Sequence, residues 1–204
     1  MEDRRGTDER RVEGGIPQRV LDTILRWATW RNILILWAVF VAFNLLVVGP
    51  AYSRIETLSG GVEALDFLIV YRPEKAFERV AAYGAEGRPY YATIALTVDT
   101  LFPLLMALTF GLTLARLYRR AFSREGVLHR ALFVPLGTMV ADLLENVGIV
   151  TMLLSHPRRP LAVALLTSSF STVKWTAATA ESLLIVIGLI AWLVNALRGG
   201  DTEA

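Results

Sequence analysis

Residues 33–53 read ILILWAVFVAFNLLVVGPAYS, a run without one charged side chain. The hydrocarbon core of a bilayer is about 30 Å thick, and a helix crosses it with roughly 20 mostly apolar residues. This run is long enough, and three more follow it. Residues 90–115 carry only Asp99, residues 131–155 carry Asp142 and Glu145, and residues 161–197 carry Lys174 and Glu181. One such run fits a buried helix in a soluble core. Four in 204 residues predict four crossings. The last is long enough to tilt or to project beyond the bilayer.

The predicted fold class is therefore all-α: a four-transmembrane-helix bundle, with an amphipathic N-terminal helix and a small helical outer loop. The amphipathic segment spans Pro17 to Arg31. Val20, Leu21, Ile24, Leu25 and Ala28 recur at helical spacing there, with Arg19, Asp22 and Arg26 elsewhere around the turn, the pattern of a helix lying on a membrane surface. Residues 1–16 are charged and Gly-containing and are expected to form a disordered cytoplasmic tail. They do not read as a cleaved signal peptide. Residues 17–204 are expected to be a single membrane domain.

Composition excludes several chemistries. The chain is 54% hydrophobic, with a mean hydropathy of +0.46. It has no cysteine, which rules out thiol catalysis, disulfides and Cys-ligated metals. Its two histidines, His129 and His156, fall in predicted loops, so a HExxH metal site is absent and no residue is assigned as a metal ligand. Of the 21 Lys and Arg residues, only Lys174 lies deep in an apolar run. The basic balance therefore belongs to loops and ends and predicts no nucleic-acid partner.

The basic residues set the expected orientation. Arg19, Arg26 and Arg31 precede the first run, and Arg116, Arg119, Arg120, Arg124 and Arg130 crowd the loop between the second and third. By the positive-inside rule these sides face the cytoplasm. The expectation is a multi-pass protein of the cell membrane with both termini cytoplasmic. Trp27, Trp30, Trp37, Tyr90 and Tyr91 sit where interfacial aromatics are expected. The outer loop, 54–89, is too long for a simple connector. Within it, Pro73 to Tyr83 reads as a helix capped by Gly84, with Phe77 and Val80 on its apolar face over the bundle mouth.

The polar residues inside the runs are the functional candidates. A charge at the bilayer centre costs about 2.5–3.5 kcal/mol on insertion scales. Asp99, Asp142, Glu145, Lys174 and Glu181 carry that cost, four acids against one base. Either some carboxyls stay protonated, or a cation joins them, or water reaches them. Asp142, Glu145 and Asn146 are spaced i, i+3 and i+4 and share a helix face, which Thr138 extends inward. Thr167, Ser171, Lys174, Ala178 and Glu181 form a second stripe. Asp99 and Glu145 each lie nine residues from an outer span end, roughly 14 Å deep at 1.5 Å per residue. Pro103 has no amide to bond the carbonyl of residue 99, which predicts a kink and a free carbonyl beside the carboxylate.

Other features are motifs of packing. Ala107, Gly111 and Ala115 form a small-xxx-small line on the second run that allows close helix approach. No P-loop, GxGxxG or GxSxG sequence is present.

The segment Ala141-Asp142-Leu143-Leu144-Glu145-Asn146 belongs to a recognisable set. The others are Leu65-Asp66, Tyr71-Arg72-Pro73-Glu74, Tyr83-Gly84 to Gly87-Arg88, Asp99 with Phe102-Pro103-Leu104, and Lys174-Trp175. Together, over about residues 45–195, the chain resembles a group of uncharacterised, mainly bacterial, small four-span integral membrane proteins. The resemblance implies the architecture and no activity.

Three functions fit these residues. One is a site for a proton, a cation or a cationic or lipid ligand, formed by Asp99, Asp142, Glu145, Asn146, Ser171, Lys174 and Glu181. A transporter of four helices implies homo-oligomers. The second is an intramembrane enzyme acting on a lipid or isoprenoid, with unequal carboxyls as acid and base or as oxygen ligands of Mg²⁺, or with Ser171 and Lys174 as nucleophile and base. The third is an assembly protein in which the polar set is a structural network within the lipid bilayer. No catalytic residue or cofactor is identified by the sequence.

Overall fold

The computed structural model describes residues 17–121 and 125–200. The expected tail, 1–16, and Arg124 of the basic loop lie outside the described residues. Every element among those described is helical.

Helix α1, Gln18–Trp27, turns Leu21 into the protein and leaves Val20 and Trp27 exposed. It lies against the inner part of span two, and Ile24 and Leu25 join the same apolar cluster. The chain bends at Ala28-Thr29. The Thr29 side chain caps α2, Trp30–Phe43, by accepting from the Asn32 amide at 3.3 Å, which satisfies one of the donors a helix start leaves orphaned.

Span one continues past the expected end. A π-helical turn, Asn44–Val48, links α2 to α3, Gly49–Leu58. Pro50 has no amide for the carbonyl of residue 46, and the Gly49 amide bonds the Asn44 carbonyl five residues back, so the helix widens by one residue there. The charges that marked its end at Ser53 do not stop it. Arg54 sits over the Tyr90 ring at 5.8 Å, and the next residue, Ile55, is fully buried in the apolar core.

Span two also starts earlier than its apolar run, at Gly84 rather than Tyr90. It is broken into α5, Gly84–Leu96, and α6, Val98–Ala121, at Thr97. Pro89 sits inside α5 near its exposed start, where the carbonyl it leaves unbonded can reach water. Spans three and four are α7, Glu125–Ser155, and α8, Leu161–Gly200. Four helical stretches are long and apolar enough to cross a membrane: Trp30–Leu58, Gly84–Ala121, Arg130–Ser155 and Leu161–Leu197. Large apolar side chains such as Leu45, Leu46, Val147, Leu166 and Ile190 are exposed on their outer faces. Such a surface is a liability in water and suits lipid. The chain is a multi-pass membrane protein.

Helix α4, Pro73–Ala82, forms the small outer helix. Ala76, Phe77 and Val80 are buried, and Gly84 follows with φ +71°, a conformation glycine adopts without strain. It packs against α5, α7 and α8. Burial pushes the pKa of the Tyr83 phenol upward, although Arg79 opposes this. The un-ionised hydroxyl donates to the Glu63 carbonyl at 2.8 Å.

Spans two, three and four pack together, and span one rests mainly on span two. Close approach comes from glycines other than those expected. A Cβ on Gly148 would lie 1.9 Å from Thr167 Oγ1, and one on Gly188 would lie 3.0 Å from the Tyr118 ring. Bare backbone at these two points sets α8 against α7 and α6. A Cβ on Gly111 would meet nothing within 4 Å. The line through Ala107 and Gly111 instead floors an open apolar groove between α6 and α7.

The apolar core is divided. An outer cluster joins Ile55, Leu65, Phe77, Tyr83, Tyr91, Ile149 and Met152. An inner cluster joins Leu21, Ile33, Leu114, Leu117, Tyr118 and Leu132. The buried polar residues Asp99, Thr138, Asp142, Glu145, Lys174 and Glu181 belong to neither.

Candidate functional site

The i, i+3 and i+4 spacing on α7 places its three polar residues as expected, each toward a neighbour. Glu145 Oε2 receives Lys174 Nζ of α8 at 2.5 Å, and Asp142 Oδ1 lies 3.5 Å from the same nitrogen. Asn146 Nδ2 donates to the Asp99 carbonyl at 2.8 Å. That is the carbonyl which Pro103 leaves without its helical partner, and an asparagine from the next span repairs it. Asp99, Asp142, Glu145, Asn146 and Lys174 therefore converge across three spans.

Ser171 is fully buried and its hydroxyl donates to the Leu68 carbonyl, which commits its proton to the outer loop. Glu181 is separate and lies further along α8. It is fully buried and accepts from Thr138 Oγ1 at 3.3 Å, while its Oε1 has no hydrogen-bond partner.

The outer loop supplies what the sequence reading missed. Asp66, in a short 3₁₀ turn over Leu65–Phe67, is 5% exposed. Tyr52 of span one donates to its Oδ2 at 2.5 Å, and Tyr91 of span two donates to its Oδ1 at 2.8 Å. Tyr91, expected at an interface, is therefore not a free interfacial aromatic. Trp37, likewise expected at an interface, donates to Thr113 Oγ1 and stacks on Phe110. The Asp66 carbonyl accepts from Lys174 Nζ at 3.2 Å and from the Trp175 indole at 3.1 Å. Further along, Thr172 donates to the Ile69 carbonyl and the Tyr71 amide donates to Ser168 Oγ. Residues 66–71 are thus strapped along α8. Burial and the nearby Glu145 push the Tyr71 phenol's pKa well up.

Compared with family models, with curated proteins and with solved structures, the chain matches none.

A cavity of about 200 Å³ opens beside the polar cluster. Its floor is buried and polar: Asp66, Asp99, Thr138, Asp142 and Lys174. Its rim is half-buried and mostly apolar: Asn44, Val48, Phe102, Trp175 and Ala178. The carboxyls around it differ in what they face. Asp66 has two tyrosine donors, and Asp142 and Glu145 share Lys174. Asp99 has as charged neighbours Asp66 and Asp142, which repel it, and Lys174, already engaged by others. Tyr52 stands beside Asp99 too, but its one proton goes to Asp66. Asp99 is 4% exposed, and its Oδ2 has no hydrogen-bond partner. Among the described residues, no three His, Asp or Glu side chains come close enough together to hold a metal ion.

Proposed function

We propose that this is a cell-membrane protein, with both termini cytoplasmic, whose bundle binds one positive charge at Asp99. The charge is a proton or a small organic cation. The observation that carries the proposal is the Asp99 carboxyl: buried, on a cavity wall, among acids, with one oxygen unbonded. An unpaired buried acceptor of this kind costs roughly 1–3 kcal/mol, more if charged. Folding alone selects against such a group, and a ligand that donates to it removes the cost. Lys174 is the internal counter-ion of Asp142 and Glu145 and leaves Asp99 for that ligand.

Asp99→Asn is expected to raise the unfolding midpoint of the reconstituted protein and to abolish its response to a cation. Methylammonium chloride should stabilise the wild type relative to sodium chloride at equal ionic strength. At one hundred times its dissociation constant the gain is about 2.7 kcal/mol. Loss of stability in Asp99→Asn, with no methylammonium effect on either protein, would make Asp99 a structural member of the network.

Orientation rests on the basic loop between spans two and three. In intact cells, Glu63→Cys should react with an impermeant thiol reagent and Glu125→Cys should not. The native chain adds no background, having no cysteine. The reverse pattern would invert the topology.

A further inference from the structure

The cavity's walls and mouth narrow the ligand further, on the basis of the cation reading above. Span one meets α8 at one place and the loop strapped along α8 at another. Toward the inner end, Trp30 packs edge-on against Trp192 at 5.8 Å. Toward the outer end, Tyr52 packs on Phe67 of the strapped loop at 5.0 Å. Between them the facing walls are Asn44, Val48 and Tyr52, one turn apart along span one, and Lys174, Trp175 and Ala178 of α8. The cavity's rim residues are partly exposed. Next to the rim on both helices stand fully lipid-type side chains, with Leu45 70% and Val173 53% exposed. The outer loop and α4 cover the outer end of the bundle.

We infer that the site takes an alkylammonium amphiphile, which enters from the bilayer between spans one and four and places its N–H donors on Asp99. Three features select this chemistry. The orphan Asp99 Oδ2 is an acceptor that needs a donor, which an ammonium with hydrogens on nitrogen provides. The surrounding acids repel phosphate and carboxylate head groups, and Lys174, the cavity's ammonium, is held by Asp142 and Glu145. The rim offers Phe102 and Trp175 to the first carbons and their charge. At about 30 Å³ per water-sized group, the cavity holds a head group and a few methylenes, and the rest of the chain stays in lipid.

The test is binding of n-octylammonium and methylammonium to the full chain in lipid nanodiscs, with empty nanodiscs as the blank. Burying a methylene favours binding about fourfold, and several are buried. Octylammonium should bind at least tenfold more tightly than methylammonium by aqueous concentration. Asp99→Asn should weaken both at least tenfold. Val48→Phe and Ala178→Phe narrow the mouth from opposite walls. Each should weaken octylammonium at least fivefold more than methylammonium, with an unfolding midpoint near that of the wild type showing that the bundle is intact. If both amines bind alike and both depend on Asp99, entry from the bilayer is wrong and the cation site stands. If neither amine shows saturable binding that depends on Asp99, both readings fail together.

Discussion

Lys174→Met is expected to destabilise the bundle by about 3–5 kcal/mol, the range for removing one partner of a buried ion pair. The ammonium touches three acceptors on two other elements: Glu145 Oε2 at 2.5 Å, Asp142 Oδ1 at 3.5 Å and the Asp66 carbonyl at 3.2 Å. Methionine keeps most of the volume and none of the charge, so two buried carboxylates lose the one cation beside them among the described residues. The unfolding free energy in mixed micelles reads the loss. A double change separates charge from shape. Lys174→Met with Glu145→Gln removes one of the stranded acids and should recover at least half of the loss. Replacing a whole buried pair is far milder than breaking it. A loss under about 1 kcal/mol in the single variant would mean that water or another cation already screens these acids. The variant also divides the cluster into two roles. Lys174, Glu145 and Asp142 join α7 to α8, and their removal reads out as stability. Asp99 is the member whose removal should raise stability and end binding. Opposite signs from residues in one polar layer are hard to explain by packing alone.

Much of that layer was legible because it lies on regular helices. The spacing of Asp142, Glu145 and Asn146 puts them on one face whatever surrounds them, and an α-helix keeps depth in step with sequence number. Pro103 likewise announces a missing bond to residue 99 by covalent structure alone. Which neighbour would repair it was not legible. Asn146 does so because α6 and α7 cross there, and no local pattern encodes a crossing point. The same limit explains the packing glycines. Gly111 sits in a small-residue line and faces open space, whereas Gly148 sits in an ordinary apolar run and meets Thr167.

The helices outrun the apolar runs for a related reason. Arg54 and Arg88 read as membrane boundaries, yet Arg54 rests on Tyr90 and Arg88 donates to the carbonyls ending α4. Both helices therefore run on past the apolar runs, to Leu58 and from Gly84. Asp66 is the largest omission. It lies in the loop between spans one and two, and its neighbours Leu65 and Phe67 do not say which groups its carboxylate meets. The signal that could have found it is the pair of tyrosines, Tyr52 and Tyr91, in apolar runs from different spans: each buried phenol needs a partner, and one carboxylate serves both.

Asp66→Ala is the second large effect, and it tests whether that carboxylate docks the outer loop. Hydrogen bonds to a charged group are worth roughly 1.5–3 kcal/mol each, and Asp66 accepts two from residues that are 5% exposed or less. Alanine takes away the carboxylate to which both buried phenols donate, so the expected cost is about 3–5 kcal/mol. Hydrogen exchange locates it. The amides of Leu65 and Asp66, which donate to the Tyr91 hydroxyl at 3.1 and 3.4 Å, should exchange at least tenfold faster, and those of residues 68–71 should follow. Amides at the middle of α7 should change little beyond the global loss. Tyr91→Phe removes one of the two bonds and should show a smaller effect at the same amides. A competing hold exists, because α8 grips the loop by its carbonyls through Ser171, Thr172, Lys174 and Trp175. These bonds do not involve the Asp66 side chain. If residues 65–71 stay protected in Asp66→Ala, the grip from α8 suffices and the carboxylate is dispensable for docking. If they open, the cavity opens with them, since Asp66 and Phe67 both line it, and alkylammonium binding should weaken in step with the exchange.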